Sequence, residues 1–236
     1  MNGAVPSGDW RAPWSMCVWS PGNLVLAGIG ILMCYDSAQA ESFDRDIEFA
    51  ARYVTGELYL QDGAVTIWNR VRRAGVEYDE RYSGGVTIGL IGGYGTLSQN
   101  EGASLAGNYL GVVGRIAAVS GPRAGLSVGG RYLYQNLGGD TSTRPRTIDW
   151  QEWGLDTRLS YRVARQWILV LGGRYDWVVA DQVTKGLVST TITLKAERHT
   201  SQYVGVAFET DPGGFVTVAL QRGMMDAKEI VFRRVF

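Results

Sequence analysis

The stretch 197–201 contains the only histidine of the chain, two residues before a serine. Residues two apart on a β-strand face the same side, so His199 could take the proton of the Ser201 hydroxyl and activate it as a nucleophile. Glu197 has the same parity, and Glu209 or Asp211 could orient the imidazole. The chemistry of such a set would be hydrolysis of an acyl ester. The simpler interpretation is a histidine in a rim or loop without a catalytic role.

The His-x-Ser spacing resembles the motif of outer-membrane lipid A deacylases, which are small β-barrels. That family usually has Asn after the serine, whereas Gln202 stands here, and its motif lies closer to the C-terminus. The resemblance implies a lipid A-modifying acyl hydrolase as the alternative function. Because no donors for an oxyanion are evident near Ser201, we expect a protein that is not an enzyme.

The sequence has few of the residues that metal, nucleotide or nucleic-acid binding requires. Cys17 and Cys34 are the only cysteines, so a zinc site of the Cys/His type is not expected. The glycine-rich stretch 89–95 lacks the Lys-Ser/Thr of a phosphate-binding loop. The net charge is zero, with three lysines against twenty arginines, which argues against nucleic-acid binding. We therefore predict no metal, no cofactor and no nucleic-acid partner.

The first forty residues have the features of a secretory signal. An apolar run at 24–34 is too short to span a bilayer, and Ala38-Gln39-Ala40 follows it as a small-x-small cleavage site. The true start could be Met1 or Met16. We predict a signal peptide over 1–40 and one domain over 41–236, which then contains no cysteine.

The elements that position these residues are β-strands. Apolar residues alternate with polar ones or glycine at 152–163 and 166–179, and more weakly along most of the chain. Turn signals such as Gly121-Pro122 and Asp211-Pro212-Gly213 separate the segments. The pattern predicts an all-β, antiparallel, up-and-down barrel of about ten strands, with eight as the alternative.

The two faces of these strands distinguish a membrane barrel from a soluble sandwich. The polar face has Gly, Ser and scattered charges, which suits a narrow interior, while the apolar face has rings spaced eight to ten residues apart. Ten residues at ~3.4 Å each, tilted by about 40°, cover roughly 25 Å, the height of an outer-membrane apolar band. The predicted aromatic girdle consists of Trp153, Tyr161, Trp167, Tyr175 and Trp177.

The printed chain ends at Phe236, after an alternating segment. With the signal and the strand pattern, this resembles the small outer-membrane β-barrel proteins of Gram-negative bacteria, the OmpA/OmpW-like porin superfamily, whose last strand commonly ends in Phe. Arg234 departs from that pattern, since an apolar residue is usual there. The resemblance implies an outer-membrane location, Phe236 as a signal for the barrel assembly machinery, and a structural, surface-interaction or narrow porin-like role.

A barrel of this size has an interior that side chains largely fill. Buried charges are tolerated when they are paired, so we predict a charge ladder in the lumen, with a narrow polar conduit as the alternative. The predicted ladder comprises Arg115, Arg131, Glu152, Asp156, Arg158, Arg162, Arg174, Asp176 and Arg222. Arg70, Arg72 and Arg73 form a cluster that could bind lipopolysaccharide phosphates or lie in a solvated strand. The expected surroundings are outer-membrane lipid and lipopolysaccharide.

Overall fold

The computed structural model describes residues 46–63, 65–99, 104–141, 144–186 and 189–236. The predicted signal peptide, residues 1–40, lies outside these residues. The described residues form eleven strands: β1 (Asp46–Asp62), β2 (Val65–Arg81), β3 (Val86–Gln99), β4 (Ser104–Ser120), β5 (Ala124–Thr141), β6 (Arg144–Arg162), β7 (Trp167–Thr184), β8 (Thr190–Ala196), β9 (Thr200–Asp211), β10 (Gly214–Gly223) and β11 (Met225–Val235). In the described ranges no helix is long and apolar enough to cross a membrane.

The strands form one antiparallel sheet that closes on itself. β1 pairs with β2 on one side and with β11 on the other, from Glu48 opposite Val235 to Leu58 opposite Met225. Asp46 and Val235 therefore lie at the same end of the barrel, which we call the lower end. Closure removes the free edges of the sheet, so the predicted antiparallel barrel is confirmed.

The barrel has ten strands at its lower end and eight at its upper end. In the lower part β7 pairs with β9, and the ring continues through β10 and β11 to β1. In the upper part β7 pairs instead with β8, from Val179–Lys195 to Thr184–Thr190. β8 then reaches β1 directly, at Leu60–Ala196 and Gln61–Lys195. The two strand numbers left open by the sequence thus describe the two ends of one barrel.

A break at residues 197–199 produces this change in strand number. Ala196 and Ser201 both face inward although they are an odd number of residues apart, so the alternation shifts at the break. The tip of the short β10–β11 hairpin fills the space below β8, where the Met224 amide donates to the Thr200 carbonyl at 2.8 Å. Gly223 has a φ of 134°, and a Cβ there would lie 2.7 Å from Ser201 Cα. A larger residue would therefore push the tip away from the wall.

The upper half of the barrel is filled by an apolar core. Trp150, Ile148 and Leu194 are at most 2% exposed and belong to a cluster that includes Leu58, Leu60, Val71, Leu97, Leu105, Leu137, Val178, Ala180, Ala196, Met224, Met225 and Ala227. At the same level the outward residues are polar, as at Asp149 and Thr193. This half is built like a water-soluble protein, with its apolar residues inside.

The lower half has the opposite arrangement. Its outward face presents exposed apolar side chains: Ile88, Leu90, Leu110, Val112, Ile116, Val128, Leu155, Leu159, Leu171, Val204, Val206, Val218, Leu220, Ile230 and Phe232. The predicted girdle residues Tyr161, Trp167, Tyr175 and Trp177 lie on this face and are 40–47% exposed, while Trp153 packs on the Tyr132 ring at 4.1 Å between centroids. Such a belt is stable only in contact with an apolar phase.

Candidate functional site

A layer of ion pairs crosses the lumen directly below the apolar core. Glu152, on β6, accepts from Arg73 at 2.9 Å and also pairs with Arg131. Arg131 reaches Asp176 at 3.3 Å. On the other side of the lumen, Arg52 pairs with Glu77 at 2.8 Å and with Glu229 at 3.1 Å. Successive residues of a strand point to opposite faces, so each strand can direct a charged side chain into the lumen while its neighbours present apolar side chains outside.

Every predicted ladder residue except Arg222 faces inward. Arg222 is exposed on the outer face between Gln221 and Gly223, because neighbouring strand residues point in opposite directions. Arg162 lies near the lower end and pairs with Glu209 at 2.6 Å. Arg174 donates to Gln221 Oε1 at 3.4 Å. The inward members thus lie at several levels, and Arg131, Glu152 and Asp176 belong to the central layer.

Sequence reasoning missed several partners of this layer. Arg73 was grouped with Arg70 and Arg72, yet it points into the lumen and its guanidinium lies 5.5 Å from the Trp150 ring centroid. Glu77 is 2% exposed and Asp79 1%, so both carboxylates lie buried on the inward face of β2. The parity of β2, on which residues 69 to 79 alternate strictly, is the signal that separates Arg73 from its neighbours.

The lumen has very little free space at its centre. A cavity of about 40 Å³ lies among Arg52, Arg73, Arg131 and Tyr109. This is room for a few waters at most. A second, open cavity of about 800 Å³ occupies the lower end of the barrel, among Glu48, Asp79, Arg115, Arg158 and other residues. The described wall therefore surrounds a lower vestibule that ends at the ion-pair layer.

The candidate catalytic residues are directed to other partners. His199 lies in the strand break, where Nδ1 contacts the Asp176 carbonyl at 2.9 Å and the ring stacks on Tyr175. Ser201 is 3% exposed, and its Oγ accepts from the Met224 amide at 3.1 Å. Glu209 lies near the other end of β9, with its carboxylate on Arg162. The break also removes the shared parity that suggested the pair.

The part of the chain that the structure describes contains no group of three or more His, Cys, Asp or Glu side chains that could hold a metal ion. In the central layer of the lumen, arginines and carboxylates are arranged as ion pairs, which is the arrangement of a packed interior.

Cations on the outer face form a row just above the apolar belt. Thr55 of β1 lies opposite Arg72 on β2 and opposite Lys228 on β11, which places the two cations on either side of it. Arg70, one outward position further up, pairs with Glu57 at 3.2 Å and lies over the Trp68 ring at 5.2 Å. Two of the three predicted arginines, Arg70 and Arg72, thus share this face.

Phe236 closes the lower girdle. Its amide donates to the Ile47 carbonyl at 2.8 Å, and its ring lies 6.0 Å from that of Phe49. Arg234 is exposed and pairs with Asp211 at 2.9 Å. The position of this pair at the lower boundary explains how a charged residue is accommodated on the outer face there.

A comparison with solved structures finds bacterial outer-membrane proteins at low sequence identity. The outer-membrane protease OmpT from Escherichia coli is 13% identical, with a TM-score of 0.47 over 85% of this chain and 100% of that chain. The translocator domain of the autotransporter NalP from Neisseria meningitidis is 13% identical, with a TM-score of 0.47 over 91% and 95%. An outer-membrane channel from Pseudomonas putida is 12% identical, with a TM-score of 0.46 over 85% and 99%. No protein-family model matches the chain, and no curated protein matches it.

The closed antiparallel sheet and its apolar outer belt between aromatic rings define a transmembrane β-barrel of the outer-membrane type. Within that class, the chain has a filled lumen and an apolar core that extends above the belt.

Proposed function

We propose that the protein is an integral outer-membrane barrel with a closed lumen, which serves a structural or surface-interaction role and conducts no solute. The exposed apolar belt supports the membrane location, since water would not stabilise it. With both described ends on the periplasmic side, the upper half projects outward from the cell.

The observation that carries this proposal is the sequence of layers inside the barrel. From the lower end, a solute would meet the ion-pair layer with its cavity of about 40 Å³ and then the apolar core around Trp150. An ion entering that core would lose its hydration without gaining ligands, which costs far more than thermal energy. A narrow porin would need a continuous polar path, and the core interrupts it.

Planar-bilayer recording of the full chain tests this proposal. We expect no steady single-channel steps from protein whose folding is verified by heat-modifiable gel mobility, while an open porin in the same bilayers gives them. Steady steps that scale with the amount of folded protein would contradict the closed lumen.

We also propose that the row formed by Arg72 and Lys228 contacts lipopolysaccharide phosphates. The row lies at the upper edge of the apolar belt, and guanidinium and ammonium groups form charge-assisted hydrogen bonds with phosphate. The double variant Arg72→Gln with Lys228→Gln should bind lipopolysaccharide more weakly than wild type. Arg165→Gln, in the exposed lower turn, is the matched control and should bind normally.

Three earlier expectations remain proposals. Recognition of the last strand by the barrel assembly machinery would involve Phe236, so Phe236→Ala should lower the yield of assembled barrel in cells. The absence of enzymatic activity and of a nucleic-acid partner is likewise proposed. The contacts of His199 and Ser201 support a structural role for both, because each holds the strand break together.

A further inference from the structure

The vestibule at the lower end has an unusual balance of charges. Its volume is about 800 Å³, and it opens beside Asp46, where β1 begins. Four arginines and three carboxylates line it: Arg81, Arg115, Arg158, Arg233, Asp46, Glu48 and Asp79. Cations therefore exceed anions in a partly enclosed space, where screening by water is weaker than at an open surface.

Two of these arginines form no salt bridge with a carboxylate of the described residues. Glu48 pairs with Arg233 at 2.7 Å and with Arg81 at 3.4 Å. Arg115 and Arg158 have no carboxylate within 4.0 Å among the residues that the structure describes. Within the same residues, Nε of Arg115 is buried without a hydrogen-bond partner. A buried N–H donor without an acceptor lowers the stability of the folded protein, and a ligand that accepts a hydrogen bond from it would remove this cost.

The strand register explains how the arginines converge. On β5, Gly129 lies opposite Arg115 and Ser127 lies opposite Arg158, so the strand between the two arginines contributes only small residues at these positions. Asp156, opposite Gly129 on β6, is the nearest carboxylate in this row, and its Oδ1 lies over Gly129 without forming a salt bridge to Arg115. From another part of the ring, Arg233 adds to the repulsion that Arg115 exerts on Arg158. The hydroxyls of Ser127 and Thr87 offer further donors next to these cations.

We infer that the vestibule binds a small oxyanion of the phosphate class between Arg115 and Arg158. Guanidinium groups present paired N–H donors that match the geometry of phosphate oxygens, and the anion would neutralise the repulsion between the arginines. The ligand is either a free phosphate or the headgroup phosphate of a lipid in the periplasmic leaflet. The inference goes beyond the proposed function, because the vestibule opens at the lower end of the barrel whether or not solutes pass through the lumen.

Phosphate-dependent stability of the full chain tests the inference. The protein is unfolded by urea in alkyl maltoside micelles with inorganic phosphate or with chloride at equal ionic strength. At a phosphate concentration one hundred times the Kd, we expect the urea midpoint to rise by about 1–3 M over that in chloride. Urea is used because guanidinium would itself bind phosphate.

Three variants make the test specific. Arg158→Gln should weaken phosphate binding by about tenfold or more, the loss expected for one charge-assisted hydrogen bond. Its midpoint in chloride should equal or exceed that of wild type, since one repelling charge is gone. Asp79→Asn removes a carboxylate from the wall of the same cavity and should tighten binding. Arg222→Gln, on the outer face and in neither proposed phosphate site, should leave binding unchanged.

The two sources of the phosphate are separated by a parallel titration with dihexanoylphosphatidylglycerol in place of inorganic phosphate. If inorganic phosphate raises the urea midpoint, the ligand is a soluble anion. If only the short-chain lipid raises it, the ligand is a lipid headgroup. Either rise supports the site when Arg158→Gln reduces it. The inference is overturned when neither compound shifts the wild-type midpoint, or when Arg158→Gln responds as strongly as wild type.

Discussion

Glu152→Gln should be among the most destabilising single substitutions in the lumen. The carboxylate is 3% exposed and serves Arg73 and Arg131, whose side chains are 10% and 15% exposed. Removing one partner of a buried pair costs about 3–5 kcal/mol, because the remaining charge is left without compensation. Glutamine keeps the shape and part of the hydrogen bonding, so we expect a loss of about 3 kcal/mol.

Urea unfolding in phospholipid vesicles measures this loss. With a slope of about 1–3 kcal/mol/M, the midpoint should fall by roughly 1–3 M. Glu57→Gln is the matched control, since Glu57 pairs with Arg70 on the outer face with both side chains about 45% exposed. That exposed pair should contribute at most about 1 kcal/mol.

A double-mutant cycle separates charge pairing from packing. If the loss arises from an uncompensated guanidinium, Glu152→Gln combined with Arg131→Gln should be less destabilised than the sum of the single variants, by about 0.5–3 kcal/mol. A Glu152→Gln variant within ~0.5 kcal/mol of wild type, a change typical of neutral surface sites, would refute the importance of the ion-pair layer.

Three further outcomes are expected. Gly75→Ala should destabilise the barrel by about 1–3 kcal/mol, because its Cβ would overlap the Tyr109 hydroxyl and the Gly92 carbonyl, while Gly114→Ala, with nothing within 4 Å, should be neutral in the same urea titration. Lipid A from cells expressing wild type or His199→Ala should have identical acyl chains by mass spectrometry, and loss of a chain only with wild type would establish the enzyme alternative. Phe236→Ala should reduce heat-modifiable barrel in membrane fractions, and an unchanged yield would remove its assigned role.

The alternation within single strands was sufficient to predict the barrel and most of its inward charges. β6 and β7 place rings on one face and charges on the other over their whole lower halves, and Glu152 and Asp176 both lie on the inward face. Parity is a local property, and it holds wherever a strand is unbroken.

Two features depend on contacts that the local pattern does not contain. Arg73 and Glu152 are 79 residues apart, and only the ring closure brings them together. The break at 197–199 reverses the parity of one strand, which is why His199 and Ser201 were wrongly placed on one face. The sequence pattern also did not predict that the apolar and polar faces exchange sides between the two halves of the barrel. In β6, for example, Ile148 lies inside the barrel and Leu155 lies outside.

Site-specific quenching tests the central claim, that the membrane surrounds only the half of the barrel with an apolar outer face. Leu155 and Gln151 lie four residues apart on the outward face of β6 and are both exposed. Single cysteines at these positions, in a chain without Cys17 and Cys34, are labelled with bimane and reconstituted in vesicles. The label at Leu155→Cys should be quenched by brominated lipid and protected from aqueous iodide, and the label at Gln151→Cys should show the reverse. Quenching of both labels by iodide, with no effect of brominated lipid, would contradict the account.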